Sequence, residues 1–181
     1  MSNKKFYRRR SFLKYSLGIA AGIALAGPIE GTAAFQEHPM LFYHTHTREQ
    51  FKMTYSCNGC SPATLRELNN FLRDFRTGDV HPIDPELLDI LYKIQQKSGS
   101  RGVIEVISGY RSPKTNMYLR SQSDSVARKS LHMNGQALDI RITDLKIEHL
   151  LDAAVSLHRG GVGYYPRSNF VHIDTGSFRT W

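Results

Sequence analysis

Three times in this chain a capping residue is followed at once by proline: Ser61-Pro62, Asp84-Pro85 and Ser112-Pro113. A side-chain oxygen at the cap accepts an amide of the first turn, and proline at the first helical position costs no hydrogen bond. Helices can therefore start at these places but cannot run through them. The spacing predicts a first helix over "SPATLRELNNFLRDFR", with Leu65, Leu68, Phe71, Leu72 and Phe75 as its apolar stripe. A second covers "DPELLDILYKIQQKSG", stopped by Gly99, and a short third covers "SPKTNMYLRSQS".

Between and after the helices lie runs with another period. "LFYHTHT" and "EQFKMTYS" alternate and predict a strand pair. "GVIEVISG" and "QALDIRI" are strands rich in Val and Ile. A helix over "KIEHLLDAAVSLHRGG" precedes two last strands, "GVGYY" and "NFVHIDTG", joined through Pro166. Helices gathered early and strands late predict an α+β domain with a largely antiparallel sheet and helices to one side.

The N-terminus reads differently. "RRRSFLK" is followed by the apolar "YSLGIAAGIALAG" and then by small residues. That apolar run is shorter than the roughly 20 residues a bilayer span needs. The order of basic, apolar and small parts is that of an export signal, here of the twin-arginine type. Residues 1–34 are expected to form it, with cleavage near Ala34 and no stable membrane span afterwards, and residues 35–181 the folded domain. The formal net charge of +8 belongs mostly to this segment. Six of the 24 basic and one of the 16 acidic residues fall within it, so the remainder carries only +3. Nucleic-acid binding is not expected at that charge. Cys57 and Cys60 form one C-x-x-C around Asn58-Gly59, which reads as a local disulfide or an incidental pair rather than a redox dithiol.

The chemistry centres on "SLHMNGQALDIRI". His132 enters from a loop, and Asp139 sits between Leu138 and Ile140, so alternation turns its carboxylate away from theirs. A carboxylate so placed needs a partner. In "NFVHIDTG", Phe170, His172 and Asp174 share one strand face, opposite Val171 and Ile173. Alone, a His–Asp pair is more often structural than metal-binding. Gly135 and Ala137 lack bulk and would let the loop return close to a metal. His44 and His46 share a strand face but have no acidic partner nearby, and read as exposed strand histidines.

The pattern S-L-H-M-N-G-Q-A-L-D with a later V-H-I-D resembles the zinc signature S-x-H-x-x-G-x-A-x-D … H of the D-Ala-D-Ala peptidase and hedgehog-like superfamily. "ISGYRS" resembles the segment that provides that superfamily's active-site arginine, here Arg111. "GGVGYYPRSNFVHIDTG…W" resembles the murein endopeptidase K family of periplasmic, twin-arginine-exported peptidoglycan hydrolases. The resemblance implies Zn²⁺ held by His132, Asp139 and His172, with two histidines and one carboxylate leaving a position for water. It implies as substrate the stem peptides of peptidoglycan, particularly links between two meso-diaminopimelate residues, and a periplasmic location. Arg111 is expected to stabilise charge on the reacting carbonyl or to hold a substrate carboxylate. Relatives that carry Glu three residues before the last ligand, or His two before it, are not matched here: those positions are Asn169 and Phe170. Asp174 is the expected general base, with the orienting of a ligand histidine as its other role. Tyr164 and Tyr165 read as packing or as oxyanion donors, and Ser130 as a turn cap. A D,D-carboxypeptidase or dipeptidase, and a zinc-containing wall-binding module without turnover, are the competing functions.

Overall fold

The computed structural model describes residues 38–55, 60–123 and 126–181. The expected export signal lies outside them, and so does Cys57 with its turn. Two of the three helix starts are where the proline pairs put them, and the third comes one residue later. Ser61 Oγ accepts Thr64 N (3.1 Å) at the head of α1, Pro62–Phe71. Ser112 Oγ accepts Thr115 N (3.2 Å) at α3, Pro113–Gln122. Asp84, two residues ahead of α2 (Glu86–Ser98), accepts Glu86 N on Oδ1 (3.0 Å), and the helix ends on Gly99 in the left-handed conformation (φ 69°). The fourth helix, α4, covers Ile147–Val155.

Among the described residues the strands are β1 (His38–His44), β2 (Gln50–Tyr55), β3 (Ile104–Ser108), β4 (Ala137–Ile142), β5 (Gly161–Tyr165), β6 (Phe170–Asp174) and β7 (Arg179–Thr180). They form one sheet in the order β2-β1-β3-β4-β6-β5-β7. Pairs β1/β3 and β5/β7 are parallel and the other four antiparallel, so the α+β sheet is mixed but mostly antiparallel. The parallel β7 has only two residues, too few for a periodicity to show.

One face of the sheet is apolar. Phe42, Ile104, Val106, Leu138, Ile140, Val171 and Ile173 pack in one cluster with Leu68 and Leu72, with Leu87, Leu91 and Ile94 of α2, and with Leu150 of α4. Period two then forces Asp139, His172 and Asp174 onto the opposite face. Register does the rest: Asp139 pairs with His172, Ala137 with Asp174, and Gly163 with His172.

Two expectations change. Helix α1 stops at Phe71, well short of Arg76. Asp74 is the cause: 1% exposed, it accepts Arg76 N (2.9 Å) in a turn and Ser112 N (2.9 Å) from the start of α3. Phe75 leaves the stripe and stacks on His46, with centroids 4.0 Å apart. His44 is buried rather than exposed. Its Nδ1 accepts the amides of His46 (3.3 Å) and Thr47 (3.4 Å), so the nitrogen serves the turn after β1. Burial first, then the neighbouring His46, pulls its pKa down to about 4.

Asp74 joins the end of α1 to the loop that carries Arg111. Replacing it with alanine strands the buried amide of Ser112 and the part-buried amide of Arg76, and is expected to cost about 2–4 kcal/mol of stability. Urea unfolding against wild type measures this, and a change within ~0.5 kcal/mol would remove Asp74 from that role.

Candidate metal centre

His132 lies in a short 3-10 turn, Leu131–Asn134, that closes on Gly135 in the left-handed conformation (φ 67°). Gly135 is needed there for close packing of another kind than expected: an added Cβ would collide with the carbonyl of Pro82. The turn is tied to "SGYRS" in both directions. His132 Nδ1 donates to Gly109 O (2.8 Å), and Arg111 N donates to His132 O (3.1 Å). Gly109 in turn sits where a Cβ would come within 2.5 Å of Leu72 O. These contacts bring His132 over β4 and β6, 2% exposed.

His132 Nε2 is 3.3 Å from Asp139 Oδ1, and His172 Nδ1 is 2.9 Å from the same oxygen. One ligand atom from each of the three residues falls within 4.8 Å of the others. A tetrahedral cation with bonds of ~2 Å sets its ligands ~3.3 Å apart, so the spacing suits such an ion. Tautomers agree as well. Each imidazole has its outward nitrogen bonded to an oxygen: His132 Nδ1 to Gly109 O, and His172 Nε2 to Asp174 Oδ2 (3.0 Å). The facing nitrogens, Nε2 and Nδ1, are left with lone pairs for a metal. Asp139 Oδ2 accepts Arg111 Nη2 (3.3 Å), which leaves Oδ1 to the ion. The residues present therefore fit a metal.

Burial keeps His132 neutral, with its pKa lowered despite the attraction of Asp139. Burial works to raise the pKa of Asp139, but His132 and His172 outweigh it and hold the carboxyl well below the usual range. His172 is the unusual group. Burial opposes its charge, yet hydrogen bonds to Asp139 and Asp174 push its pKa up to about 9 while no cation competes. Metal must displace that proton. Uptake at pH 7 is expected to release about one proton per ion, with affinity climbing as pH rises and levelling above about 9. Calorimetry in two buffers of different ionisation enthalpy counts the proton, and uptake without release would contradict this charge state.

The catalytic expectations fare unequally. Arg111 lines the same cleft of about 300 Å³ as the three donors. Its Nη2 is shared between Asp139 and Ser108 Oγ (3.1 Å), and its buried Nε has no partner among the described residues. Ser130 lines this cleft too, and its hydroxyl makes no capping bond, so the capping role is not the one it plays. Tyr164 packs against the core and donates to Glu148 Oε1 (3.2 Å), away from the cleft, whereas Tyr165 lines it.

Asp174 is brought to the site but not as an open base. It is fully buried. Oδ1 accepts Gly161 N (2.8 Å), Gly176 N (2.9 Å) and Arg179 Nη1 (3.1 Å); Oδ2 accepts Arg179 Nη2 (2.7 Å) and His172 Nε2. Two carboxylate oxygens offer about four lone-pair positions, and five donors leave none for a water proton. Although burial opposes it, these donors hold the carboxyl well below its usual range, which weakens it further as a base. The carboxylate is thus saturated with donors, one of them His172 Nε2.

Four contributors escaped the sequence reading: the Gly109 carbonyl, Arg179, Tyr165 as a wall of the cleft, and Trp181. A signal existed for two of them. Gly161 and Gly163 fall on the face of His172 and Asp174, and alternate glycines there announce that side chains from elsewhere come in.

A mostly antiparallel sheet with helices on one face, and a buried two-histidine, one-carboxylate centre in a cleft on the other, are the marks of a metallopeptidase. The family model described as Peptidoglycan L,D-endopeptidase MepK matches residues 32–181, and the chain belongs to that family. It is 43% identical over 167 residues to the peptidoglycan L,D-endopeptidase MepK of Escherichia coli K12, an alignment covering 88% of this chain and 92% of that protein. The same figures hold for the MepK of Shigella flexneri. Identity to the probable peptidoglycan L,D-endopeptidase MepK of Haemophilus influenzae is 42% over 168 residues, covering 91% of this chain and 90% of the relative.

Proposed function

We propose that this protein is a zinc endopeptidase that hydrolyses peptide cross-links of peptidoglycan, at bonds between two meso-diaminopimelate residues. It works in the periplasm after twin-arginine export of residues 35–181. The observation that carries this reading is the tautomer-fixed donor set of His132, Asp139 and His172 at the floor of an open cleft. Two imidazoles and one carboxylate are a donor set of catalytic zinc. Support for the substrate comes from the family and from cleft charge, since Arg111 and Lys129 line it and stem peptides carry free carboxylates.

Zinc, when bound, supplies Lewis acidity: activation of water near neutral pH and polarisation of a peptide carbonyl. The chain does the remaining work. With metal bound, His132 and His172 would offer the lone pairs of Nε2 and Nδ1, because their other nitrogens donate N–H to Gly109 O and Asp174 Oδ2. Asp139 would offer Oδ1 to the ion, while Oδ2 accepts Arg111 Nη2. Arg111 would thereby hold a fixed positive charge beside the metal site, for the carbonyl oxygen that gains charge as water adds to the peptide carbon. Asp174 is a positioning residue acting through His172.

Digestion of purified sacculi tests the function. Metal-loaded protein is expected to open cross-linked dimers to monomers, identified by mass, with no turnover after chelation. Release of terminal D-Ala alone would make it a carboxypeptidase, and binding to sacculi without turnover would make it a wall-binding module.

A further inference from the structure

Beside the donors the cleft carries a large side chain that this chemistry does not use. Trp181, the single tryptophan of the chain, is 50% exposed. Its ring centroid is 5.3 Å from that of His172. It is nevertheless held firmly. Trp181 N donates to Val162 O (3.3 Å), and Tyr164 N donates to Trp181 O (2.9 Å). The indole Nε1 donates to Tyr165 Oη (2.9 Å). The guanidinium of Arg179, already bound to Asp174, lies 5.0 Å from the ring.

The sequence has cleared the place it occupies. Gly163 faces His172 across the β5/β6 pair, and a Cβ there would come within 2.6 Å of Trp181 Cε2. Tyr165, which fixes the indole, also stacks on Phe170 with centroids 4.6 Å apart, and both rings line the cleft. An indole meant only to close a core would be covered. Holding one in a single orientation with half its surface in water costs side-chain freedom without completing burial. Fixed apolar surface of this kind beside a reactive centre is surface for a ligand. Position names the occupant. One extended residue spans about 3.5 Å, so the indole stands within a residue or two of a carbonyl at the metal donors.

Resting on the endopeptidase reading, we propose that Trp181, braced by Tyr165 and seated on Gly163, is the positioning wall for the substrate. It takes the methyl or methylene side chain of the residue next to the scissile bond, and so fixes the carbonyl in place.

Because Trp181 is the single tryptophan, its fluorescence reports on this wall alone. Titrating zinc-loaded protein with a cross-linked stem-peptide dimer freed of sugar is expected to give a saturable shift, and N-acetylglucosamine none. Trp181→Ala is expected to lower kcat/KM by roughly 10- to 50-fold, mostly through KM, with zinc content unchanged. Trp181→Phe recovers most of that loss. Gly163→Ala, which keeps the indole but pushes it off its seat, reproduces the loss. Cleavage by wild type with no fluorescence change, or with Trp181→Ala kinetically normal, would overturn the wall and leave the endopeptidase reading intact. Loss of zinc in Trp181→Ala would make the ring a shield for His172, and an equal shift with the sugar would make it a glycan platform; either result overturns the proposal. A dimer-specific shift in a protein that cleaves no sacculi would uphold the wall and remove the endopeptidase reading.

Discussion

Asp139→Asn is expected to remove both the metal and the activity. Asp139 is the one anionic donor of the three, and its two oxygens are divided between the ion position and Arg111. An asparagine keeps the shape but offers a neutral oxygen, or turns its amide nitrogen to the ion. Loss of the Lewis acid should lower turnover on the order of a thousand-fold or more. The folded protein should suffer too. In the absence of metal, Asp139 is the buried counter-charge for Arg111 and for a protonated His172. Removing that counter-charge leaves the buried Arg111 without its ion pair and His172 with Asp174 alone, and costs about 3–5 kcal/mol. Because the pKa of His172 is raised, this part of the loss should be largest below its ordinary value of 6.5 and fade as pH rises through about 9. Metal analysis, peptide release and urea unfolding at two pH values follow the three effects. A variant that still binds one zinc and turns over within ten-fold of wild type would remove Asp139 from the site.

Asp174→Asn separates the two roles that this residue can hold. If Asp174 orients His172, the variant loses a charged acceptor for Nε2–H and metal affinity falls about 10–100-fold. Added zinc should then restore most of the activity. A base behaves oppositely: metal stays bound and kcat collapses however much zinc is supplied. The five donors around the carboxylate lead to the first outcome. Arg179 loses its partner in the same variant, so unfolding is to be measured alongside, with Arg179→Gln as the comparison. Failure of excess zinc to recover activity in a folded Asp174→Asn protein would return the base role to Asp174.

These expectations show where sequence was enough. Alternation in "QALDIRI" and "NFVHIDTG" put Asp139, His172 and Asp174 on the non-core face before any pairing was known, because a half-buried sheet tolerates one register only. Serine-proline and aspartate-proline pairs marked the helix starts, since both cap and proline act within one turn. What escaped depends on contacts between distant segments. The hydrogen bonding of Asp174 turns on Gly161, Gly176 and Arg179, and spacing alone does not reveal three donor residues arriving from β5, a turn and β7. His44 is packed by Phe71, at the end of α1, and by Phe75, in the turn that follows. Helix α1 ends early for the same reason: Asp74 is engaged by Ser112, 38 residues later.

The metal centre itself is open to one direct observation. X-ray absorption at the zinc edge, on protein loaded with one equivalent, reports donor type and distance together. Two imidazole nitrogens and oxygen donors at about 2.0–2.2 Å are expected, with the imidazole signal lost in Asp139→Asn for want of bound metal. Sulfur scattering near 2.3 Å, or zinc bound equally well without Asp139, would place the ion elsewhere in the chain and contradict a centre built from His132, Asp139 and His172.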